Sequence, residues 1–468
     1  MVDQASDAVD VYAKAGDPEN YGLHAGVLGP VETLAQSVSA MAPSTSPSLT
    51  IPLVFALAGN ATWFVYLLAT ATTLLVGFCV SRFARLSASP GSLYTYTAST
   101  LPPFFGVTAA WGLLLAYLAT GASVAGGALY YTNILSLQFL HWTPPSFLVL
   151  LVVCAVAGLV AYRDVKLSAE LMLWIEVGSV SLIVTVLAVM LFRFGLHFDM
   201  DQFHLKGVSF AALGPALVLS MFSFVGFESA TTLGGEAKNP LHTIPRAVLQ
   251  CAILAGIFFM LCSYSEVLGF RGASGKLSES TSPLHLLAEK AGIAPLGVAI
   301  DFGALISMFA CVLACTTAGA RVLMKMAHSG LLPAVFERTN RKHGTPLPAI
   351  VLSVGLMLLA TAAMALRTFT GADMYDLLGS LSVFGFLTAY AFVAMALPFA
   401  RRAVGQHSHM VAAISVVTVL VLILIAIFDL RSTSDAIHAR IPYIYLAYIA
   451  IGIAWYALRR KRTVMTVE

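Results

Sequence analysis

The chain has 468 residues, of which 59% are hydrophobic and only 10% charged, with a formal net charge of +3. Soluble domains carry about 25% charged residues, so the polar surface is too small to coat a globule in water and lipid must cover much of the outside. The slight positive balance calls for no nucleic-acid partner.

The first 22 residues are polar and acidic, with Asp3, Asp7, Asp10, Asp17 and Glu19 against Lys14. A secretory leader would open on basic residues and a short apolar core. Neither is present, and the segment reads as a cytoplasmic tail ahead of one membrane domain over residues 23–463. The apolar runs that follow reach the roughly 20 residues a helix needs to cross the hydrocarbon core. They lack the alternation of barrel strands, so an all-α membrane protein is expected. Its spans fall at 27–57, 62–83, 103–137, 146–163, 166–193, 209–235, 246–270, 296–327, 347–366, 375–400, 410–429 and 441–459, about twelve helices. A stretch marked by Ser89, Pro90, Gly91 and Ser92 and a short polar helix join the second span to the third.

Twelve spans place both termini on one side. That side holds 18 Lys and Arg, from Lys14 to Arg462 and including Arg338, Arg341 and Lys342, against 8 on the other. The positive-inside rule then puts both termini in the cytoplasm of a cell carrying this protein in its plasma (inner) membrane.

Two spans are interrupted. In the first, Ala42, Pro43, Ser44, Thr45, Ser46 and Pro47 bring two prolines four residues apart, each removing a backbone donor and clashing with the preceding turn. Unpaired backbone at membrane depth is tolerated only inside protein or beside a water-filled cavity; the competing reading is a simple proline kink. In the sixth, Ser223, Phe224, Val225, Gly226, Phe227 and Glu228 place a flexible glycine beside a carboxylate, and an ionisable group at that depth is a functional hypothesis. Breaks five spans apart match two inverted five-helix repeats, about 27–193 and 209–400, followed by two extra helices over 410–459.

Cys79, Cys154, Cys251, Cys262, Cys311 and Cys315 all lie in apolar runs and read as free, small hydrophobes. No zinc or other metal spacing appears, and no cofactor motif. The histidines, His197 among them, sit in loops, in the tail or near span ends, without a HExxH-like spacing. No nucleophile–base constellation points to an enzyme, and no carbonyl-rich filter text points to a channel.

Residues 222–247 resemble the signature of the amino acid–polyamine–organocation superfamily of transporters. There a Gly-Phe-Glu break is followed by Glu-x-x-Asn-Pro-x-x-x-Ile-Pro-Arg, matched here by Glu236, Asn239, Pro240, Ile244, Pro245 and Arg246. Two further stretches look like the family: Arg85 to Tyr96 with Gly106 and Trp111, and Ala318 to Pro333. The resemblance implies a secondary transporter of five-plus-five inverted-repeat fold. Its substrate would be an amino acid or related small organic amine, moved by alternating access. The alternatives are a polyamine or organic-cation carrier, or a sodium-coupled amino acid symporter.

By the same resemblance, backbone around Ala42, Pro43, Ser44, Thr45 and Ser46 would receive a substrate carboxylate. Backbone around Phe224, Val225, Gly226 and Phe227 would receive an ammonium. Phe222, Phe224 or Phe227 would close over the substrate, and Ala116 and Thr120 would shape the side-chain end of the pocket. Relatives have a Gly-rich first break where this chain has prolines, so Ser44, Thr45 and Ser46 must supply the N–H groups and hydroxyls. Gly235 stands where relatives often carry a second acid, and His242 where Arg is frequent.

A concentrative carrier needs a coupled ion or an exchange partner; proton coupling or exchange is expected, with the proton preferred over sodium. Glu170 and Glu176 in the fifth span point about 240° apart. Glu170 reads as a surface acid, while Glu176, deeper in the span, suits a group that takes and gives a proton. Glu228 is the other proton candidate. Thr316 and Thr317 lie where sodium-coupled members of the wider fold place hydroxyl ligands, although such hydroxyls routinely bond to helix carbonyls. Glu236 and Arg246 are expected to make gating ion pairs or anchor their loop.

Overall fold

The computed structural model describes residues 21–163, 165–194, 199–271, 276–340, 342–432 and 437–465. Residues 1–20 of the expected tail, with Lys14, and also His197 and Arg341, lie outside the described residues. The helices are α1 Pro30–Met41, α2 Ile51–Ala58, α3 Thr62–Ala84, α4 Ser92–Ala98, α5 Pro103–Leu140, α6 Ser146–Arg163, α7 Val165–Phe194 and α8 Phe210–Phe222. They continue with α9 Pro240–Gly269, α10 Pro283–Lys290, α11 Ala294–His328, α12 Leu347–Leu366, α13 Gly371–Ala403, α14 His409–Ser432 and α15 Ile441–Met465.

Ten helical stretches among the described residues are long and apolar enough to cross a bilayer. One, Pro30–Ala84, holds two crossings that reverse at the turn Gly59–Ala61. The sixth crossing, α8 and the 3-10 turn Ser229–Leu233, is divided and falls outside that set. Twelve crossings result, as expected from hydropathy. Proline opens α1, α5, α9 and α10, at the helix start where its missing N–H would have no partner anyway. A capping box between Thr370 and Asp373 opens α13 four residues before the expected start of its span. Likewise α9 starts at Pro240, not near Arg246, because left-handed Asn239 turns the chain and Pro240 takes the first helical position.

The most apolar window of α5 is 94% buried, against 28% in α6, α12, α14 and α15. The outer helices thus present Val351, Leu359, Leu420 and Ile451 outward, as a lipid-solvated surface requires. Small residues on α5 let its neighbours approach closely: Gly126 lies under Met374 and Gly371 of α13, Gly121 under Met357 of α12. The packing is paired as an inverted repeat demands. The second and seventh crossings (α3, α9) pack together, as do the third and eighth (α5, α11). The contact of α5 with α13 is mirrored by that of α11 with α7.

At one end of the bundle, the N-terminal end, residues 21–29 lie across the loops. Leu28 pairs with the 236–238 backbone, its N–H donating to the Glu236 carbonyl (3.1 Å) and its carbonyl accepting from Lys238 (2.7 Å). The Lys325 ammonium donates to the Tyr21 hydroxyl at 2.7 Å, so packing already begins within the last two residues assigned to the tail. At the opposite, far end, the Arg271 guanidinium binds Asp199 and Asn60.

Candidate functional site

Both interruptions exist, and they touch. In the first crossing Ala42 is left-handed (φ 47°, ψ 68°) and ends α1. Only residues 42–44 leave helical geometry. Ser46 and Pro47 already belong to the π-helical turn Ser46–Thr50, so the unwound stretch is shorter than the proline pair suggested. Pro47 sits at the start of the resumed helix, where no N–H is needed. The Ala42 amide donates to Ser39 (3.0 Å) and the Thr45 amide to Ala42 (2.8 Å). Ser44 and Ser46 carry the other amides of the stretch. Ser44 and Ser179 of α7 share a hydroxyl hydrogen bond of 2.5 Å.

In the sixth crossing α8 stops at Phe222, and successive turns run to Glu228. Gly226 has φ +92°, and a Cβ there would meet the Ala40 carbonyl oxygen at 2.8 Å. Only glycine allows both the backbone angle and this approach. Beyond the break, Ser229 donates to the Gln36 carbonyl (3.1 Å), the Ala230 amide donates to the Ser37 hydroxyl (2.9 Å), and the Gln36 amide donates to Ser229 and to the Ala314 carbonyl of α11. Val225 is buried at the same turn.

Glu228 is fully buried and held by two phenols: Tyr117 of α5 donates to one carboxylate oxygen (2.9 Å) and Tyr390 of α13 to the other (2.5 Å). The acid thereby ties crossings three and ten to the break in crossing six. The three phenylalanines part company. Phe224 packs against Tyr66 and Phe259, and Phe227 against Tyr390. Phe222 lies edge-on to Tyr375 (5.3 Å). The Tyr375 hydroxyl meets that of Thr50 at 2.8 Å. Phe222 and Tyr375 therefore bridge crossings one, six and ten on the far side of the breaks.

Thr45 at the first break and Thr120 on α5 have fully enclosed hydroxyls without a hydrogen-bond partner, as does Ser39 one turn before the first break. Ala116 is packed on Gly385 of α13. The Thr316 hydroxyl donates to the Val312 carbonyl of its own helix (2.8 Å), and the Thr317 carbonyl accepts from Arg321 (2.9 Å). Glu176 accepts from the Ser307 hydroxyl at 3.0 Å on both oxygens. It lines, with Pro43, Met41 and Cys251, a mainly apolar cavity of about 480 Å³ between α1, α7 and α9. Glu170 is half-exposed and pairs with Lys166. No group of three or more His, Cys, Asp or Glu among the described residues could hold a metal ion.

Glu236 is buried and forms a bidentate pair with Arg321, whereas Arg246 is exposed on α9. Arg321 was legible as part of the family-like 318–333 stretch but not as the partner. Tyr117, Tyr390 and Tyr375 escaped sequence reasoning because a tyrosine in an apolar run is ordinary, and only the fold brings their hydroxyls to the breaks.

The amino acid permease family model matches residues 44–463. The chain is 24% identical over 310 residues to the branched-chain amino acid permease BcaP of Bacillus subtilis (strain 168), covering 62% of this chain and 64% of that one. It is 28% identical over 311 residues to the low-affinity putrescine importer PlaP of Escherichia coli (strain K12), covering 63% and 66%. The chain thus spans slightly less than two thirds of the length of both. Among solved structures, a mutant of the Eremococcus coleocola manganese transporter superposes with a TM-score of 0.56 at 15% identity, covering 92% of this chain and 93% of that one, a likeness of fold. A matched family over most of the chain, twelve crossings and two touching breaks lead to one assignment: this chain belongs to the amino acid permease family and is a multi-pass membrane transporter, not an enzyme.

Proposed function

We propose that the chain is a secondary active transporter of an amino acid or related small organic amine, working by alternating access around the two breaks. The observation that carries this reading is the pair of enclosed, unpartnered hydroxyls of Thr45 and Thr120. A buried hydroxyl without a partner is costly, and a bound polar substrate would supply one. The amides of Ser44 and Ser46 would meet a carboxylate, the carbonyls of residues 224–227 an ammonium, and Phe222 with Tyr375 would form the lid on the far side. The Glu228 carboxylate, already taken by two tyrosines, is poorly placed to serve as a second counter-charge for a diamine. An α-amino acid is favoured over a polyamine for that reason.

The driving ion in this reading is a proton, loaded at Glu176 beside the cavity it lines. Sodium is the alternative: the Thr316 hydroxyl donates to the Val312 carbonyl and keeps its oxygen lone pairs for a cation. The excess of Lys and Arg makes the N-terminal end cytoplasmic, in the plasma (inner) membrane.

A thermal-shift screen of purified protein tests the substrate class with α-amino acids, their decarboxylated amines and polyamines. A ligand at a hundred times its dissociation constant stabilises the folded state by about 2.7 kcal/mol. Stabilisation by an amino acid but not by its amine is the expected result. Stabilisation by amines alone would overturn the preference for a carboxylate.

A further inference from the structure

Glu266 lies three residues from the end of α9, at the far end of the bundle. It is fully buried, and neither carboxylate oxygen has a hydrogen-bond partner. The other two membrane-embedded glutamates at the core are both satisfied, Glu228 by tyrosines and Glu176 by Ser307. The neighbouring Ser265 hydroxyl is also enclosed and unpartnered.

Cations near this end are engaged elsewhere, Lys276 with Glu279 at 3.6 Å among them. The Lys290 ammonium donates to the Gly269 carbonyl at 2.9 Å. Arg271 is held by Asp199 (3.0 Å) and Asn60 (2.5 Å). The titratable groups that feel the Glu266 charge are Tyr66 on α3 and Cys262, one turn earlier on α9. Neither brings a positive charge. A lone carboxylate in this position would be an uncompensated buried charge, among the costliest features a protein can carry. The compensating cation must come from outside the chain. A metal ion needs several oxygen ligands, whereas a proton needs one acceptor.

Tyr66 also connects this acid to the transport machinery. Its hydroxyl meets the Ser223 hydroxyl at 3.0 Å, and its ring lies against Phe224, so a group that feels the Glu266 charge touches the first residues of the sixth-crossing break. We propose that Glu266 is a second proton-binding site, distinct from Glu176, that holds a proton in the enclosed conformation. It exchanges that proton with water when the break moves and opens the far end. The inference rests on the transporter reading above. The proton comes from bulk water and returns to it, and no bond other than O–H forms or breaks.

The test uses the full-length protein, wild type and Glu266→Gln, in proteoliposomes, with uptake of leucine, lysine and putrescine followed over a pH series. A substrate whose binding is linked to one proton changes its apparent affinity by up to about tenfold per pH unit. With Glu176 also binding a proton, the wild type should show the dependence of two protons, Glu266→Gln should lose one proton's share of it, about tenfold per pH unit, and Glu266→Asp should keep it. An unchanged pH profile in Glu266→Gln would overturn the proposal. Difference infrared spectroscopy of the protein gives a second readout that needs no transport. A protonated-carboxyl band present in the wild type and missing in Glu266→Gln is expected; the same bands in both would also overturn it. If the wild type takes up none of the three compounds, the substrate reading fails while the infrared comparison still decides the protonation of Glu266.

Discussion

Arg321 and Glu236 meet as a two-pronged pair: guanidinium Nε and one terminal nitrogen each lie 2.6 Å from a different carboxylate oxygen, and both side chains are almost wholly enclosed. The Glu236 carbonyl also accepts from Leu28. One residue therefore fastens α11, the 234–239 turn and the N-terminal segment at the same end of the bundle. Removing one member of such a pair strands the other charge and costs about 3–5 kcal/mol, whereas replacing both by apolar groups is often neutral. Glu236→Gln should lower the melting temperature and abolish uptake. The double variant Glu236→Gln with Arg321→Met should regain stability without regaining uptake. A single variant that melts and transports like the wild type would remove the pair from the gating scheme.

Thr45 and Thr120 separate a substrate contact from a structural one. Their hydroxyls bond to nothing in the protein, so Thr45→Val or Thr120→Val should leave the stability of the unliganded protein unchanged or raised by up to about 1 kcal/mol. A hydrogen bond to a bound ligand contributes about 0.5–1.5 kcal/mol. Substrate affinity should therefore fall by about two- to tenfold, read by titration with the compound found in the stability screen. Loss of stability with unchanged affinity would make these hydroxyls part of the packing only.

The division between what sequence made legible and what it did not follows the range of the forces involved. Spans, breaks and the loop signature are local: hydropathy, Pro43 beside Pro47, and Gly226 beside Glu228 declare themselves within a few residues. Partners are not local. Glu228 is satisfied from positions 111 and 162 residues away, and Glu236 pairs with Arg321, 85 residues on, not with the nearer Arg246. Glu266 was passed over because one acid near the end of an apolar run looks like a boundary residue. Only the folded bundle shows that it is fully buried. The proline pair was over-read for a related reason. Pro47 lies in the first turn of the resumed helix, where its missing N–H would have no partner, so Thr45 and Ser46 before it are already wound and the chain resumes sooner than two prolines imply.

Gly226 is the position where a single added carbon should stop transport. At φ +92° an alanine is strained, and its Cβ would press on the Ala40 carbonyl. The strain of an unfavourable backbone region is about 1–3 kcal/mol, and the contact between the two breaks would have to open as well. Gly226→Ala should therefore lose uptake and melt earlier than Gly178→Ala, where an added Cβ meets nothing within 4 Å. Matched behaviour of the two variants in uptake and melting would show that the breaks need not touch.

The far end has its own acid-sensitive fastening. Burial acts to raise the Asp199 pKa, but the hydrogen bonds from Gln202 and Arg271, together with the Arg271 charge, outweigh it, and the carboxyl sits below its ordinary value. A depressed folded-state pKa means that its contribution to stability is fully present above the unfolded value of about 3.9. That contribution is lost as the pH falls through the folded value. The Arg271 partner is substantially exposed, so the effect is local and small against the whole fold. Amide exchange over residues 200–204, corrected for intrinsic rates, should accelerate in the wild type as the pH drops below about 4. In Asp199→Asn it should be faster at neutral pH and show no such step. A wild-type segment whose protection is flat through that window would mean that Asp199 does not hold the turn to Arg271.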